Sequence, residues 1–218
     1  MDDRQRAILA ELARLYPDAR PELHFSNPYE TLIATILSAQ CTDVKVNQVT
    51  PALFRAYPDA AAMAKATPEQ VEPYIRLCGL YHNKAKHIVA ACRALVAQHG
   101  GRVPGDMQAL QSLPGVGRKT ANVVMANAFG AAAIAVDTHV FRVSNRLGLA
   151  QAKDVLRTER QLMETIPKAD WSAAHHWLIY HGRRVCKAIR PACDACTLRA
   201  LCPYAQAHAL AAGSTVAG

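Results

Sequence analysis

Six residues have the types and spacing to do chemistry in this chain: a lysine, Lys119, an aspartate, Asp137, and four cysteines, Cys186, Cys193, Cys196 and Cys202. The cysteines fall within 17 residues, with six, two and five residues between successive members. Such density in a chain that does not read as secreted points to a metal centre, because thiolates need a cation to offset their burial. Zinc and an iron-sulfur cluster both accept four cysteines. Zinc sites usually present two knuckle pairs across a longer loop, whereas here one Cys-x-x-Cys stands between two unpaired outer ligands, which favours a [4Fe-4S] cluster. Four reduced core thiols remain the plain alternative. Arg183, Arg184, Lys187, Arg190 and Arg199 surround these cysteines. A cluster pinning this loop could hold the cations rigidly against phosphates, as a positioning device; a merely solvated basic face fits the same residues.

Lys119 follows the run Leu113-Pro114-Gly115-Val116-Gly117. Two glycines one residue apart permit positive φ and close backbone approach, so successive N–H groups can converge on an anion at a helix N-terminus. The same run also suits an ordinary tight turn. A lysine nucleophile must be neutral to attack, and with a reference pKa near 10.4 only about one in 2,500 is neutral at pH 7. Bringing it to about 7 or 8 costs roughly 3 to 5 kcal/mol against the ammonium form. The helix dipole supplies too little, so partial burial has to add to it. Asp137, in Val136-Asp137-Thr138-His139, sits where an N-cap would open the next helix. Its functional reading is a carboxylate facing Lys119, able to stabilise positive charge developing on a sugar or to handle a proton. His139 reads as structural.

The elements that must position these residues are helices. Asn27-Pro28 with Glu30 predicts an N-cap, a proline at the first helical position and a capping-box carboxylate, followed by Leu32, Ile33, Ile36 and Leu37 at helical spacing. Thr67, Pro68 and Gln70 open another helix, with Gly79 where a C-terminal cap would sit. Between 83 and 99, Ile88, Val89, Cys92, Leu95 and Val96 form one apolar stripe, closed by Gly100-Gly101. Further helices are expected near 43–56, 107–112, 118–129, 138–147, 155–165 and 171–186. No alternating strand pattern recurs, so the fold class is all-α. Cys41, Cys78 and Cys92 lie in or beside apolar helical patterns and read as core thiols. The stretch from His208 to Gly218 is small and polar and is expected to fray.

Composition bounds the rest. The chain has 218 residues, 51% hydrophobic and 19% charged, enough apolar material for a core and too little charge for disorder. Its most apolar stretch, 121–136, is 16 residues long and interrupted by Asn122, Asn127 and Gly130, short of the roughly 20 that a membrane span needs. Met1-Asp2-Asp3-Arg4 leads into no apolar segment and does not read as a secretory signal, which predicts a cytoplasmic, disulfide-free chain. The net charge is +8, of which residues 111–218 carry +7, from 13 Lys/Arg against 6 Asp/Glu. A field focused in this way suits a polyanion, of which nucleic acid is the commonest.

Taken together, Leu113 to Ala121, Val136 to His139 and the four-cysteine spacing closely resemble the endonuclease III family of the helix-hairpin-helix DNA glycosylase superfamily. Ser38-Ala39-Gln40-Cys41-Thr42-Asp43 and Gly79-Leu80-Tyr81-His82-Asn83-Lys84-Ala85 look like two more of its segments, and the similarity runs from about residue 5 to residue 205. The resemblance implies two helical domains flanking a DNA-binding cleft. One is a six-helix domain over 22–130 with the hairpin; the other is an iron-sulfur domain of 1–21 plus 131–218. It implies Lys119 as catalytic nucleophile, Asp137 as the essential acid, and Cys186, Cys193, Cys196 and Cys202 as [4Fe-4S] ligands. Gln40 would fill the space vacated by the turned-out base and Leu80 would wedge the opposite strand, while Leu113, Gly115, Val116, Gly117 and Arg118 would bind the DNA backbone.

The implied activity is a bifunctional glycosylase/AP lyase of base excision repair, which removes oxidised pyrimidines from duplex DNA through a Lys119 Schiff base and β-elimination. Adenine-removing relatives typically lack a lysine here, which favours the lyase. The expected partner is duplex DNA containing an oxidised pyrimidine or an abasic site, met by a monomer at the nucleoid. Cys41 stands where alanine often follows the Ser-Ala-Gln motif. Two other readings make different predictions. A non-catalytic DNA-binding module with a cluster-supported basic face would bind without cleaving, and a zinc-stabilised scaffold would be colourless.

Overall fold

The computed structural model describes residues 1–213, with side chains to 208; the fraying expected of His208 to Gly218 therefore falls partly outside the described residues, and 208–213 are helical. Every regular element among the described residues is an α-helix or a short 3-10 turn. None of the helices is long and apolar enough to cross a membrane. Main-chain contacts divide the chain into two compact units, residues 21–131 and residues 1–20 with 132–218.

The first unit is built around α2 (Pro28–Leu37), whose residues from Tyr29 to Leu37 are nearly all buried. A helix apolar all round has to be enclosed. Around it pack α3 (Asp43–Ala56), α6 (Tyr81–His99) and α8 (Arg118–Phe129), while α4 (Ala60–Lys65) and α5 (Pro68–Ile75) cover α6, and α7 (Met107–Gln111) precedes α8. Asn27 caps α2 by accepting from the Glu30 N–H at 2.9 Å. The Glu30 carboxylate, however, reaches back to the N–H of Ser26, one residue before the expected partner. At α5 the capping box of Thr67 and Gln70 is complete.

Three local expectations change. Ala60–Lys65 makes a helix of its own, opened by Asp59, whose carboxylate accepts from the Ala62 N–H at 2.7 Å. It is too short and too rich in alanine to show a period. Gly79 is not the C-cap of α5, which ends at Ile75 with Arg76 as its cap. And Val96 leaves the apolar stripe of α6 at 43% exposure, while Ile88, Val89, Cys92 and Leu95 are buried.

The second unit gathers α1 (Asp3–Leu15), α10 (Val155–Thr165), α11 (Trp171–Arg184) and α12 (Pro203–Gly213), with α9 (Thr138–Leu147) central: α10, α11 and α12 all pack on it, and α1 packs on α11. Asp2 and Gln5 close a capping box at α1, which brings Ile8, Leu9 and Leu12 into the core beside Val140, Val143, Leu147 and Leu178. Arg4 ties α1 to the end of α9 through the carbonyls of Leu147 at 2.8 Å and Gly148 at 3.1 Å. Helices α9 and α11 cross closely at Gly182, where an added Cβ would stand 3.1 Å from His139 and Val143.

Candidate nucleic-acid site and cysteine centre

The hairpin between α7 and α8 is anchored by apolar side chains and presents its backbone. Leu113 and Val116 are 2% and 5% exposed, inside the core of the first unit. Their side chains hold the turn in place and face away from solvent, so what a duplex could touch at these two positions is main chain, the N–H groups expected from the sequence to converge on an anion. The two glycines also differ. Gly115 takes φ +77°, and a Cβ there would stand 2.7 Å from the Cβ of His87 on α6. Gly117 is the extended N-cap of α8, with φ −84°, and an added Cβ would meet nothing. Nothing within the fold requires glycine at 117, whereas an approaching phosphate would.

Different outcomes are therefore expected at the two positions. Gly115→Ala forces both an unfavourable φ and a collision, and should lower the melting temperature by several degrees. Gly117→Ser should leave stability unchanged or slightly raised, since serine is a better N-cap. Its hydroxyl would occupy the N–H donors that a phosphate needs, so affinity for duplex DNA should fall by about tenfold. Paired thermal melts and filter-binding titrations read both effects.

Arg118 and Lys119 occupy the first turn of α8, and both are exposed. The partial burial expected to favour a neutral Lys119 amine is thus absent from the protein alone. The helix opens with its N-terminus toward solvent, and the Ala121 N–H returns to the Gly117 carbonyl at 2.9 Å.

Two loops of the same unit meet. Gln40 follows α2 and Leu80 is the N-cap of α6; both are non-glycine residues in the left-handed region, with φ +52° and +59°. Such conformations cost about 1–3 kcal/mol each and collect at functional sites. The two loops meet at Gly79, where an added Cβ would stand in ordinary contact, 3.5 Å, with the carbonyl of Gln40. Both side chains project outward, and Leu80 is 58% exposed, a large apolar side chain held in solvent.

In the second unit Asp137 is the N-cap of α9, with one carboxylate oxygen, Oδ1, accepting from the N–H groups of His139 and Val140, both at 2.8 Å. These caps leave Oδ2 unengaged by the helix end, so the structural and the chemical readings of Asp137 are compatible. His139 is half-buried, which pushes its imidazole below the usual range, and its Nδ1 lies 3.2 Å from Arg142. That fits the structural role expected of it.

The four cysteines Cys186, Cys193, Cys196 and Cys202 line a single small pocket, together with His181, Leu147 and Tyr204. Among the described residues no three His, Cys, Asp or Glu side chains are drawn together to hold a single metal ion. Polar groups aim at the sulfurs. Arg146 lies 3.5 Å from Cys186 Sγ, bonds the carbonyls of Lys187 and Ala188, and stacks on Tyr204 at 4.2 Å. His181, 1% exposed, lies between the Tyr16 hydroxyl, 3.0 Å from its Nδ1, and Cys196 Sγ, 3.7 Å from its Nε2. Burial pushes its imidazole down to about 4, which favours the neutral ring.

The surrounding cations divide. Arg184 stacks over Tyr180 at 4.4 Å, and Arg199 pairs with Asp194 at 2.9 Å. Lys187 and Arg190 stand exposed at the loop tip, beside Ile189 at 81% exposure. The basic surround expected from the sequence is thus partly committed to the protein itself. Cys78 and Cys92 are buried as expected, and Cys41 is half-buried.

Residues 33–168 match the family model of the HhH-GPD superfamily base excision DNA repair proteins. Endonuclease III of Synechocystis sp. is 53% identical over 207 residues, covering 94% of each chain. Endonuclease III of Escherichia coli is 49% identical over 197 residues, covering 90% of this chain and 93% of its own. A solved structure of a trapped endonuclease III–DNA covalent intermediate superposes with a TM-score of 0.90 at 48% identity, over 95% of this chain and 99% of that one. At this level of identity, extending over both units, the chain belongs to the endonuclease III family of the HhH-GPD superfamily.

Proposed function

We propose that this protein is a bifunctional DNA glycosylase/AP lyase of base excision repair, acting in the cytoplasm on oxidised pyrimidines and abasic sites in duplex DNA. The observation that carries the reading is a solvent-facing lysine, Lys119, one residue into a helix whose glycine N-cap is open to a phosphate. Family members solved with DNA, covalently and non-covalently, support DNA as the partner. Arg118 and the N–H groups after Gly117 bind the backbone. Gln40 and Leu80, pre-strained and outward-facing, enter the duplex as the damaged base leaves the stack, an extrusion costing a few kcal/mol that a lesion makes cheaper. Lys119 is exposed in the free protein, open to the sugar of a bound nucleotide.

The Lys119 nitrogen then forms a bond to C1′ of the sugar while the glycosidic bond breaks and the base departs with a proton. Ring opening leaves a Schiff base between Nζ and C1′. Loss of a C2′ proton and cleavage of the C3′–O bond break the strand on its 3′ side. Asp137 stabilises the positive charge developing on the sugar and carries protons. Cys186, Cys193, Cys196 and Cys202 hold a [4Fe-4S] cluster. The fit is in the donor set: four thiols around one pocket, with Arg146 and a neutral His181 directed at sulfur. When bound, the cluster pins the 186–202 loop and its exposed Lys187 and Arg190, and no step of the reaction passes through it.

A panel of duplexes carrying thymine glycol, other oxidised pyrimidines, 8-oxoguanine or an abasic site, incubated with the brown holoprotein, tests this. Expected are strand breaks without alkaline treatment at oxidised pyrimidines and abasic sites. Binding to every duplex with no breaks at any would show a DNA-binding module instead.

A further inference from the structure

Beneath the loops that carry Gln40 and Leu80 lies a group of side chains for which glycosidic chemistry has no use. Lys84, in the first turn of α6, is 4% exposed, and its Nζ is buried without a hydrogen-bond partner. A buried polar group left unpaired costs about 1–3 kcal/mol, more when charged, and in a folded protein it calls for a reason. Two thiols, those of Cys41 and Cys78, lie close enough to it and to each other to interact. Cys41 directly follows Gln40 and is half-buried, so a small oxidant can reach it; Cys78, two residues before Leu80, is fully buried. Lys45 adds a second positive charge on the side of Cys78.

The environment separates the roles of the three groups. Burial pushes the Lys84 ammonium below its usual range, against the opposing pull of the Cys41 and Cys78 sulfurs, so it holds its proton less tightly than a solvated lysine. Burial, reinforced by the contact with Cys41, pushes the Cys78 thiol up to about 12, so Cys78 does not ionise unaided and needs an adjacent proton acceptor.

We propose that Cys41 and Cys78 are an oxidisable pair that a hydroperoxide converts to a disulfide, with Lys84 accepting the proton of the resolving thiol. In the first step the Cys41 sulfur attacks one peroxide oxygen. An S–O bond forms, the O–O bond breaks, and water (or an alcohol, from an organic hydroperoxide) departs, leaving a sulfenic acid. In the second step Cys78 attacks the Cys41 sulfur, an S–S bond forms and the S–O bond breaks. The Cys78 proton passes to Lys84 and then to the departing hydroxide, so that two thiols are oxidised and the hydroperoxide is reduced. The bond ties the Gln40 loop to the Leu80 loop, which already touch at Gly79. What this does to DNA entry rests on the roles proposed for Gln40 and Leu80; the cross-link itself does not.

The test is to treat the reduced, full-length holoprotein with hydrogen peroxide and map its peptides by mass spectrometry. The expected product is a Cys41–Cys78 linked peptide that dithiothreitol reverses, absent from Cys41→Ala and Cys78→Ala. Lys84→Met keeps the unbranched stem and exchanges an unpaired buried amine for an apolar group, so the fold is retained, which circular dichroism checks. In that variant cross-linking should slow by about tenfold or more. Oxidation of Cys41 to sulfinic acid without pairing, or pairing of either thiol with another cysteine, overturns the proposal. So does an unchanged rate in Lys84→Met.

Discussion

Borohydride added to the protein and a duplex containing an abasic site will trap a covalent protein–DNA complex, and Lys119→Gln will not form it. The reduction fixes a Schiff base by converting its C=N bond to an amine, so trapping reports a lysine nitrogen bonded to the sugar. Glutamine nearly preserves the length and polarity of the side chain at an exposed first-turn position, so fold and DNA binding should survive. Strand cleavage should fall by about four orders of magnitude or more, the scale seen when a covalent enzyme loses its nucleophile. Full trapping by Lys119→Gln would move the chemistry to another amine. Trapping should also weaken as salt is raised, because phosphate contacts by Arg118 and the hairpin bring the sugar to Lys119.

The second large effect separates two jobs of one carboxylate. Asp137 caps α9 through Oδ1, and an asparagine carbonyl can accept the same two N–H bonds. Asp137→Asn should therefore melt within a degree or two of the wild type while base removal falls by about two to four orders of magnitude, the range for losing a group that handles charge and protons. Asp137→Ala loses the cap as well and should be less stable by about 1 kcal/mol. Melting curves and single-turnover base-release rates on both variants give the comparison. If Asp137→Asn keeps full activity, the residue is a cap and nothing more.

Much of this was legible in the residues. Asn27, Thr67 and Asp137 announce helix starts because a cap is a contact between near neighbours, and Gly100 announces an end for the same reason. The hairpin and the four-cysteine spacing could be read because their chemistry is concentrated in short segments. Other features had no local signal. The helix at Ala60–Lys65 lacked a period. The strain at Gln40 and Leu80 could not be seen, since neither residue type prefers the left-handed region. Leu113 and Val116 stood in a binding motif and yet turned inward.

Sequence by itself determined the all-α class, most helix boundaries, the candidate reactive residues and the sign and location of the charge, because these depend on residue type and on spacings of a few positions. Tertiary structure alone decided which members of each motif face solvent. It buried Leu113 and Val116 and left Gly117 and Lys119 open, set Arg184 on Tyr180, and brought Cys41 to Cys78 and Lys84 from a separate segment. Those outcomes follow from how volumes far apart in the chain fill one core, and no short window of sequence contains that information.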